Sequence, residues 1–303
     1  MKKRIVVTGG EGFIGQWLLD SLISQGHECW SIDLHERPRN SSYHYFKSDV
    51  SKSTFAHLLV DINPDVIFHL AAQTSSIISE EKPTHDIETN MLGAVNICLA
   101  LRQLENVTVI FTSSMAVYGS TFSEAGAGPE TTPTSIYGIT KLASEQILQR
   151  MRSYGHKINV VRLFNVYGPG QDLSNLKQGM VSIFCAMAIK DQRIVVKGSP
   201  DRTRDLIHVD DVVTKLVSCI NSDYPSPVDV GTGSEISVAE LLEMIKSKCD
   251  DLFGFSVTEH YEDGFSEDIF RSRSPSSVET SVLLSSGITN FLRWTHKELI
   301  KND

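Results

Sequence analysis

Tyr137 and Lys141 stand four residues apart in a run, 136–153, whose apolar residues recur at helical spacing. Both side chains therefore leave one face of a helix. A tyrosine loses its proton near pH 10 and is a weak base at neutrality. An ammonium group beside the phenol favours the phenolate, and a cationic nicotinamide ring nearby would add to that. Lowering the phenol to near neutrality takes about 4 kcal/mol of differential stabilisation, within reach of two cations in a dry site. A phenolate so prepared can act as a general base. Ser114, at the end of the apolar strand 107–112 and its Ser-Ser extension, offers a hydroxyl to relay a proton or to hold the substrate oxygen. Tyr-x-x-x-Lys alone is most often a surface pair. It gains meaning only if the chain also builds a cradle for a dinucleotide.

That cradle is written at the start of the chain. Ile5, Val6 and Val7 read as a buried strand, and residues 13–25 as a helix. Between them lies Gly9-x-x-Gly12-x-x-Gly15, a variant of the spacing in which glycines let a pyrophosphate approach amides at a helix N-terminus. Cys29-Trp30-Ser31-Ile32-Asp33 is a second strand ending in an acid. Asp33 lies about 20 residues past the turn, where a carboxylate accepts hydrogen bonds from an adenosine ribose and repels a 2′-phosphate. NAD is thereby favoured over NADP, although Arg37 and Arg39 weigh slightly the other way. Asp33 read only as a strand-end turn residue is the competing possibility. Residues 43–46 read as a third strand, and Asp49 either meets the adenine edge or caps a helix over 53–61. Residues 65–72 form a fourth strand running into Ala71 and Ala72, small enough for a cofactor to pass close to the backbone. His69, in that apolar run, reads as a packed histidine without a catalytic role.

A long helix over 88–104, a fifth strand over 107–112, a surface loop over 120–134 and a sixth strand over 158–163 follow. Alternating strands and helices imply an α/β fold with a doubly wound, Rossmann-type parallel sheet. From Gln171 the alternation loosens. Helices are expected over 179–190, 210–220 and 238–248, strands over 194–197 and 227–230, a charged turn over 201–205, and weak periodicity from residue 250. Residues 1–170, rejoined by 205–235, are expected to form the NAD-binding domain, and 171–303 mainly a smaller C-terminal α/β substrate-binding part.

Composition narrows the partners. The chain has 303 residues and a net charge of −9, which leaves no basic excess for nucleic acid or an anionic membrane surface. Five cysteines without CxxC spacing fit buried thiols in a reducing compartment, not a disulfide framework or a metal site. No 18-residue apolar run and no separate signal-peptide core stand in the sequence, so a cytoplasmic protein is expected.

Several ordered pieces resemble the extended short-chain dehydrogenase/reductase family, and within it the nucleotide-sugar epimerases and dehydratases. They are Thr8-Gly9-Gly10-Glu11-Gly12-Phe13-Ile14-Gly15, His69-Leu70-Ala71-Ala72, Ser113-Ser114-Met115-Ala116-Val117-Tyr118-Gly119, Tyr137-Gly138-Ile139-Thr140-Lys141, Phe164-Asn165-Val166-Tyr167-Gly168-Pro169-Gly170-Gln171 and Arg204-Asp205-Leu206-Ile207-His208-Val209-Asp210-Asp211. The resemblance implies a tightly held NAD and a nucleoside-diphosphate sugar, most readily a UDP-sugar. It implies Ser114, Tyr137 and Lys141 as the catalytic set. Around the cofactor it implies Gly9, Gly12, Phe13, Ile14, Gly15 and Asp33, with Asp49, Val50, Leu70, Ala71, Ala72, Tyr137 and Lys141. Asn165 would contact the sugar nucleotide and Arg204 its diphosphate, a guanidinium forking onto phosphate oxygens; a salt bridge from Arg204 to Asp201 or Asp205 is the alternative.

Met115-Ala116 decides between reactions. Family 4,6-dehydratases carry an acidic pair directly after the Ser/Thr, and Met and Ala do no acid–base work, so 4-epimerisation leads. Near the C-terminus the family's Arg-x-x-Asp is matched only by Phe265-Ser266-Glu267-Asp268. Asp268 is retained, the arginine is missing, and Arg271 or Arg273 are the candidates to replace it. Four residues past Asp268, the small Ser272 would admit an N-acetyl group, which points to UDP-N-acetylglucosamine or its galacto epimer beside UDP-glucose. A 4-keto-sugar reductase of the same family and a catalytically silent NAD-binding sensor are the rival readings. The apolar faces of 88–104 and 136–153 are those that related enzymes pair across a two-fold axis, so a homodimer is expected.

Overall fold

The computed structural model describes residues 2–119, 130–175, 177, 179–262 and 272–300. The chain begins with β1 (Arg4–Thr8), α1 (Phe13–Ser24), β2 (Glu28–Asp33), β3 (His44–Lys47), α2 (Ser53–Ile62) and β4 (Val66–His69). There follow α3 (Ser76–Glu81), α4 (Pro83–Asp86), a π-turn (Ile87–Leu92), α5 (Gly93–Leu101), β5 (Thr108–Ser114), a 3₁₀ turn (Met115–Tyr118), α6 (Ile136–Gln149) and β6 (Lys157–Leu163). The remaining elements are β7 (Asn165–Tyr167), α7 (Met180–Asp191), β8 (Arg193–Lys197), β9 (Thr203–Arg204), β10 (Leu206–His208) and α8 (Val209–Ser218). They end with β11 (Val228–Val230), β12 (Ile236–Ser237), α9 (Val238–Phe253), β13 (Thr258–Glu262) and α10 (Leu284–Ile300).

Two compact units result. Among the described residues, one comprises 2–119, 130–163 and 213–229, the other 164–175, 177, 179–212, 230–262 and 272–300. In the first, the strand order β11-β6-β5-β4-β1-β2-β3 reverses direction between β1 and β4, the point where doubly wound sheets open a crevice at the strand C-termini. The pairings from β3 through β6 are all parallel. Ile5, Val6 and Val7 are entirely buried, as a strand covered by helices on both faces requires. The core between sheet and helices gathers Val6, Ile67, Val109 and Val160 with Phe55, Leu59, Ile97 and Leu148.

The expected helix over 88–104 takes a different form: the short α4, then the π-turn, then α5. Two side chains account for the break. Asn90, buried inside the turn, sends its amide to Asp86, Thr140 and the Gln73 carbonyl, while its own carbonyl accepts the Ser144 hydroxyl at 3.1 Å. These bonds reward an extra residue in the turn, which is where π-turns recur. At its end Gly93 sits so close to Val50 and the His69 ring that a Cβ would lie 3.2 and 3.4 Å from them. The expected loop over 120–134 falls partly outside the described residues; within them, the Thr132 hydroxyl donates to the Tyr118 carbonyl at 3.1 Å.

The second unit is more ordered than its sequence suggests. The expected charged turn over 201–205 contains β9, which pairs antiparallel with β12, and the next residues form β10, parallel to β7. Past residue 250, β13 pairs in parallel with β8, and α10 buries Gly287, Ile288, Phe291, Leu292 and Thr295 along one side. Its first half also carries Ser285, Ser286, Thr289 and Asn290, weak helix formers, which hides the periodicity. Tyr167 packs directly on α10: a Cβ on Gly287 would stand 2.1 Å from the phenolic oxygen.

Two predictions follow from this packing. A Cβ on Gly15 would stand 2.2 Å from the Gly9 carbonyl oxygen, a backbone atom that cannot move alone. Gly15→Ala is expected to cost about 2–4 kcal/mol, read as a lowered denaturant midpoint. His69 is fully enclosed, its Nδ1 2.8 Å from the Thr8 hydroxyl and its ring stacked on Phe111. Burial, helped by the Lys141 charge, pushes its pKa down to about 3. The unfolded chain takes up this proton near pH 6.5 and the folded chain does not, so stability is fully present above that value and falls as pH drops towards 3. Denaturation across that window should flatten in His69→Gln; an unchanged slope would count against a neutral buried ring.

Candidate active site

The glycine turn is built by backbone crowding. Gly9 holds φ +68° and a Cβ there would lie 2.8 Å from the Ala71 amide nitrogen; at Gly10 one would lie 2.4 Å from the Ser31 hydroxyl. Ala71 in turn donates from its amide to Thr8 Oγ1 at 3.2 Å, and Leu70 to the Thr8 carbonyl at 3.2 Å. The Gly12, Phe13, Ile14 and Gly15 stretch therefore enters α1 at the C-terminal edge of β1 and β4. Gly12 caps α1 without any side-chain hydrogen bond, so the first-turn amides and the positive end of the helix dipole face outward. A side-chain-free turn, open amides and small residues alongside fit a dinucleotide pyrophosphate.

Asp33 closes β2. Its Oδ2 accepts the Glu11 amide at 3.0 Å and its Oδ1 the Leu34 amide at 2.7 Å and His35 Nδ1 at 2.8 Å. The carboxylate is thus fixed in place with Oδ2 the less crowded oxygen. Arg39 does not approach it: its guanidinium pairs with Asp20 at 2.6 Å. Asp49 accepts the Ser51 amide at 2.9 Å, and Val50 is buried in the core with its carbonyl bonded to Asn96. Neither Asp49 nor Ser53 caps α2, which begins without a side-chain cap.

The start of α6 is tied down more heavily than any sequence pattern reveals. Ser135 accepts the Gly138 amide, Ser79 the Tyr137 amide and Glu80 the Ile136 amide at 3.1, 3.1 and 2.8 Å. These satisfy donors that a helix start leaves over. A Cβ at Gly138 would be 2.5 Å from the Ala116 carbonyl oxygen, so the helix lies directly on the turn that follows Ser114. The Ser114 hydroxyl consequently bonds the Tyr137 phenol and also accepts the Ala116 amide at 3.2 Å. Lys141, one turn on, is 2 % exposed, its ammonium 4.2 Å above the Phe111 ring.

In the ligand-free pair both groups are pushed toward their neutral forms. Burial raises the Tyr137 phenol to about 12; the Ser114 bond works against this and the Asp86 charge with it. Burial lowers Lys141 to about 7, opposed by Glu145 and Asp86. Dry surroundings penalise either ion, and without a cofactor that penalty outweighs the attraction between them. An acidic phenol thus depends on the added positive charge of a bound nicotinamide, not on the lysine alone.

Two buried networks around this pair went unread in the sequence. Asp86, with no exposed surface, accepts Gln73 Nε2 at 2.5 Å, Asn90 Nδ2 at 3.1 Å and the Thr140 hydroxyl. Glu145, one turn past Lys141, accepts the Ser113 hydroxyl at 2.5 Å and two guanidinium bonds from Arg162 at 2.9 and 2.6 Å. Arg162 continues to the Tyr118 hydroxyl, which donates to Asp229 at 2.6 Å. Glu145 was accessible in principle, since it extends the Tyr137–Lys141 spacing by another four. Asp86 and Arg162 carry no such signal.

In the second unit, Asn165 donates its side-chain amide to the Asp205 carbonyl at 3.1 Å and to the Ser272 hydroxyl at 3.2 Å. Ser272 has no exposed surface. The Asp205 carboxylate is wholly buried and accepts the Thr232, Gly233 and Ser274 amides and the Thr232 hydroxyl at 2.7–3.0 Å. That leaves Arg204 as the residue of the pair with a partly exposed head; its NH1 bonds the Thr203 carbonyl at 2.8 Å. Arg273 donates to the Gly233 carbonyl at 2.8 Å. Asp268 and Arg271 lie outside the described residues. Among those residues no group of three or more His, Cys, Asp or Glu is placed to hold a metal ion.

Comparison with known proteins agrees with this construction. The profile of the NAD dependent epimerase/dehydratase family matches residues 5–231. UDP-glucose 4-epimerase of Mycolicibacterium smegmatis is 33 % identical over 254 residues, covering 78 % of this chain and 80 % of that protein. The Thermus thermophilus UDP-glucose 4-epimerase structure in complex with NAD superposes with a TM-score of 0.85 at 27 % identity, covering 96 % of this chain and 98 % of that one. The UDP-N-acetylglucosamine 4-epimerase of Methanobrevibacter ruminantium, in complex with UDP-N-acetylmuramic acid, superposes at 0.87 and 25 % identity over 98 % and 100 %. With the glycine turn, the strand-end acid and the Ser–Tyr–Lys set all in the matched span, the chain belongs to the NAD dependent epimerase/dehydratase family.

Proposed function

We propose that this protein is an NAD-dependent 4-epimerase of nucleoside-diphosphate sugars, acting on UDP-glucose or UDP-N-acetylglucosamine and their galacto epimers. The observation that carries the reading is the pairing of Tyr137 with Ser114 beside Lys141, followed by Met115 and Ala116, which supply no acid for elimination. Bound NAD supplies the hydride acceptor and donor for the sugar C4. The rest falls to the chain: Tyr137 takes the 4-hydroxyl proton, Ser114 relays it and orients the oxygen, and Lys141 holds the ribose and contributes positive charge. After rotation of the 4-keto sugar, Tyr137 returns a proton to the oxygen as hydride reaches the opposite face. Gly9, Gly12, Phe13, Ile14 and Gly15 hold the pyrophosphate, Asp33 the ribose diol, and Asp49, Val50, Leu70, Ala71 and Ala72 the adenine and nicotinamide sides. Asn165, Arg204, Asp268 and Ser272 are the proposed sugar-nucleotide contacts, with Ser272 acting on Asn165 through their hydrogen bond.

We read the enzyme as a cytoplasmic homodimer that provides sugar donors for polysaccharide synthesis. Among the described residues no helix is long and apolar enough to cross a membrane. Exposed Leu92, Leu99 and Ile139 lie on the π-turn, α5 and α6. The spacing of seven between the first two keeps them on one side, and an apolar strip of this kind is suited to a two-fold helical contact.

Two measurements test these readings. Incubated with a panel of nucleotide sugars and no added cofactor, the purified protein should convert UDP-glucose or UDP-N-acetylglucosamine to the 4-epimer, seen by NMR. Tyr137→Phe should still bind UDP-sugar and lose at least about 100-fold in turnover; a wild type inert on every sugar nucleotide would favour a sensor, and stoichiometric consumption of NADPH a reductase. Sedimentation should show a dimer that Leu99→Glu with Ile139→Glu converts to monomer; a wild-type monomer would refute the interface.

A further inference from the structure

Glu11 sits in the middle of the glycine turn, where pyrophosphate binding calls for no side chain at all. It is nevertheless buried, at 5 % exposure. Its Oε1 accepts the Ser31 hydroxyl at 2.6 Å and the Tyr43 hydroxyl at 2.9 Å, and its Oε2 accepts the Arg39 amide at 2.9 Å. One carboxylate thus binds the turn to β2, to the backbone at residue 39 and to the residue before β3. Burial and the bond to Glu11 hold the Tyr43 phenol at about 12, so it remains a donor to the carboxylate. Among the described residues no cation pairs with Glu11. Arg39, whose backbone is its partner, directs its guanidinium to Asp20 at 2.6 Å and to the Gln16 carbonyl at 3.4 Å.

A glutamine would fill the same space, and several neutral residues would leave the turn open. A buried carboxylate without a counter-ion is costly to keep, and here it belongs to the residue whose backbone amide donates to Asp33 Oδ2 at 3.0 Å. Two acids therefore lie at the end of β2 and the turn beside it, with the arginine that could answer a phosphate tied to α1. We propose that Glu11 is a second cofactor-selecting residue: it fastens the turn and the 36–43 segment so that Asp33 meets a free ribose diol, and its charge repels a 2′-phosphate independently of Asp33. This rests on the NAD reading above and goes beyond it. Asp33 alone does not decide NAD against NADP.

Equilibrium binding of NAD and NADP to the nucleotide-depleted protein, followed by calorimetry, tests this without reference to turnover. Wild type should bind NAD and reject NADP; failure to bind NAD would defeat the parent reading and this one with it, whereas the variants below test this one alone. Asp33→Asn should weaken NAD and still bind NADP at least about tenfold less tightly. Asp33→Asn with Glu11→Gln should bring the two nucleotides to within about threefold of each other. The proposal fails if Asp33→Asn alone accepts NADP as well as the double variant does, or if Glu11→Gln leaves both affinities unchanged. Should Glu11→Gln not fold, Tyr43→Phe strips one donor and keeps the charge. Weakened NAD binding with NADP still rejected then supports the fastening role, and unchanged NAD affinity overturns it.

Discussion

Exclusion of water from one face of α6 is the constraint on which the rest of the first unit turns. Tyr137, Lys141 and Glu145 follow each other at intervals of four, and all three are less than one-tenth exposed. An ionisable group so enclosed is driven towards its neutral form, as the raised phenol and lowered lysine show. The chain answers unevenly. Glu145 receives a full guanidinium partner in Arg162, whereas Tyr137 and Lys141 receive only a serine hydroxyl and an aromatic face. The end of the helix that holds structure is compensated, and the end proposed to do chemistry is left short of charge. This is the imbalance a cationic, ribose-bearing ligand would correct.

Asp86 sharpens that imbalance. Its carboxylate is held by neutral donors, and its charge opposes ionisation of the phenol while favouring the protonated lysine. Asp86 thus adds to burial in holding the phenol protonated, while it partly offsets the burial that lowers the lysine. The same anion organises the π-turn through Asn90, so helix irregularity and site electrostatics share one cause. Buried polar networks of this kind are stabilising only when every member is satisfied, and here Gln73, Asn90 and Thr140 leave Asp86 no unmatched oxygen.

The glycine turn follows a similar economy. Backbone atoms crowd Gly9, Gly10 and Gly15 from several sides, so the turn is rigid before any ligand binds. Rigidity of this sort reduces the ordering cost of binding. Glu11 extends it sideways to β2 and β3 by hydrogen bonds from Ser31, Tyr43 and the Arg39 amide. The second unit repeats the device with Asp205, which gathers three backbone amides and a hydroxyl next to Arg204.

What the sequence determined by itself was whatever repeats at short range. The strand–turn–helix opening, the acid at the end of β2, the alternation that makes a parallel sheet and the Tyr137–Lys141 spacing all follow from periods of two and about four along the chain. Tertiary structure decided which of those residues are short of charge. Asn90 reaches Thr140 across 50 positions and Tyr118 reaches Asp229 across 111, and no local pattern encodes such pairings. The same distance hid the π-turn, which exists because Asn90 and Gly93 have partners elsewhere in the fold, and α10, whose weak helix formers are offset once its buried side packs, Tyr167 lying against Gly287. It also set how far burial raises the phenol without a ligand, because desolvation depends on everything packed around a group and not on its neighbours in sequence.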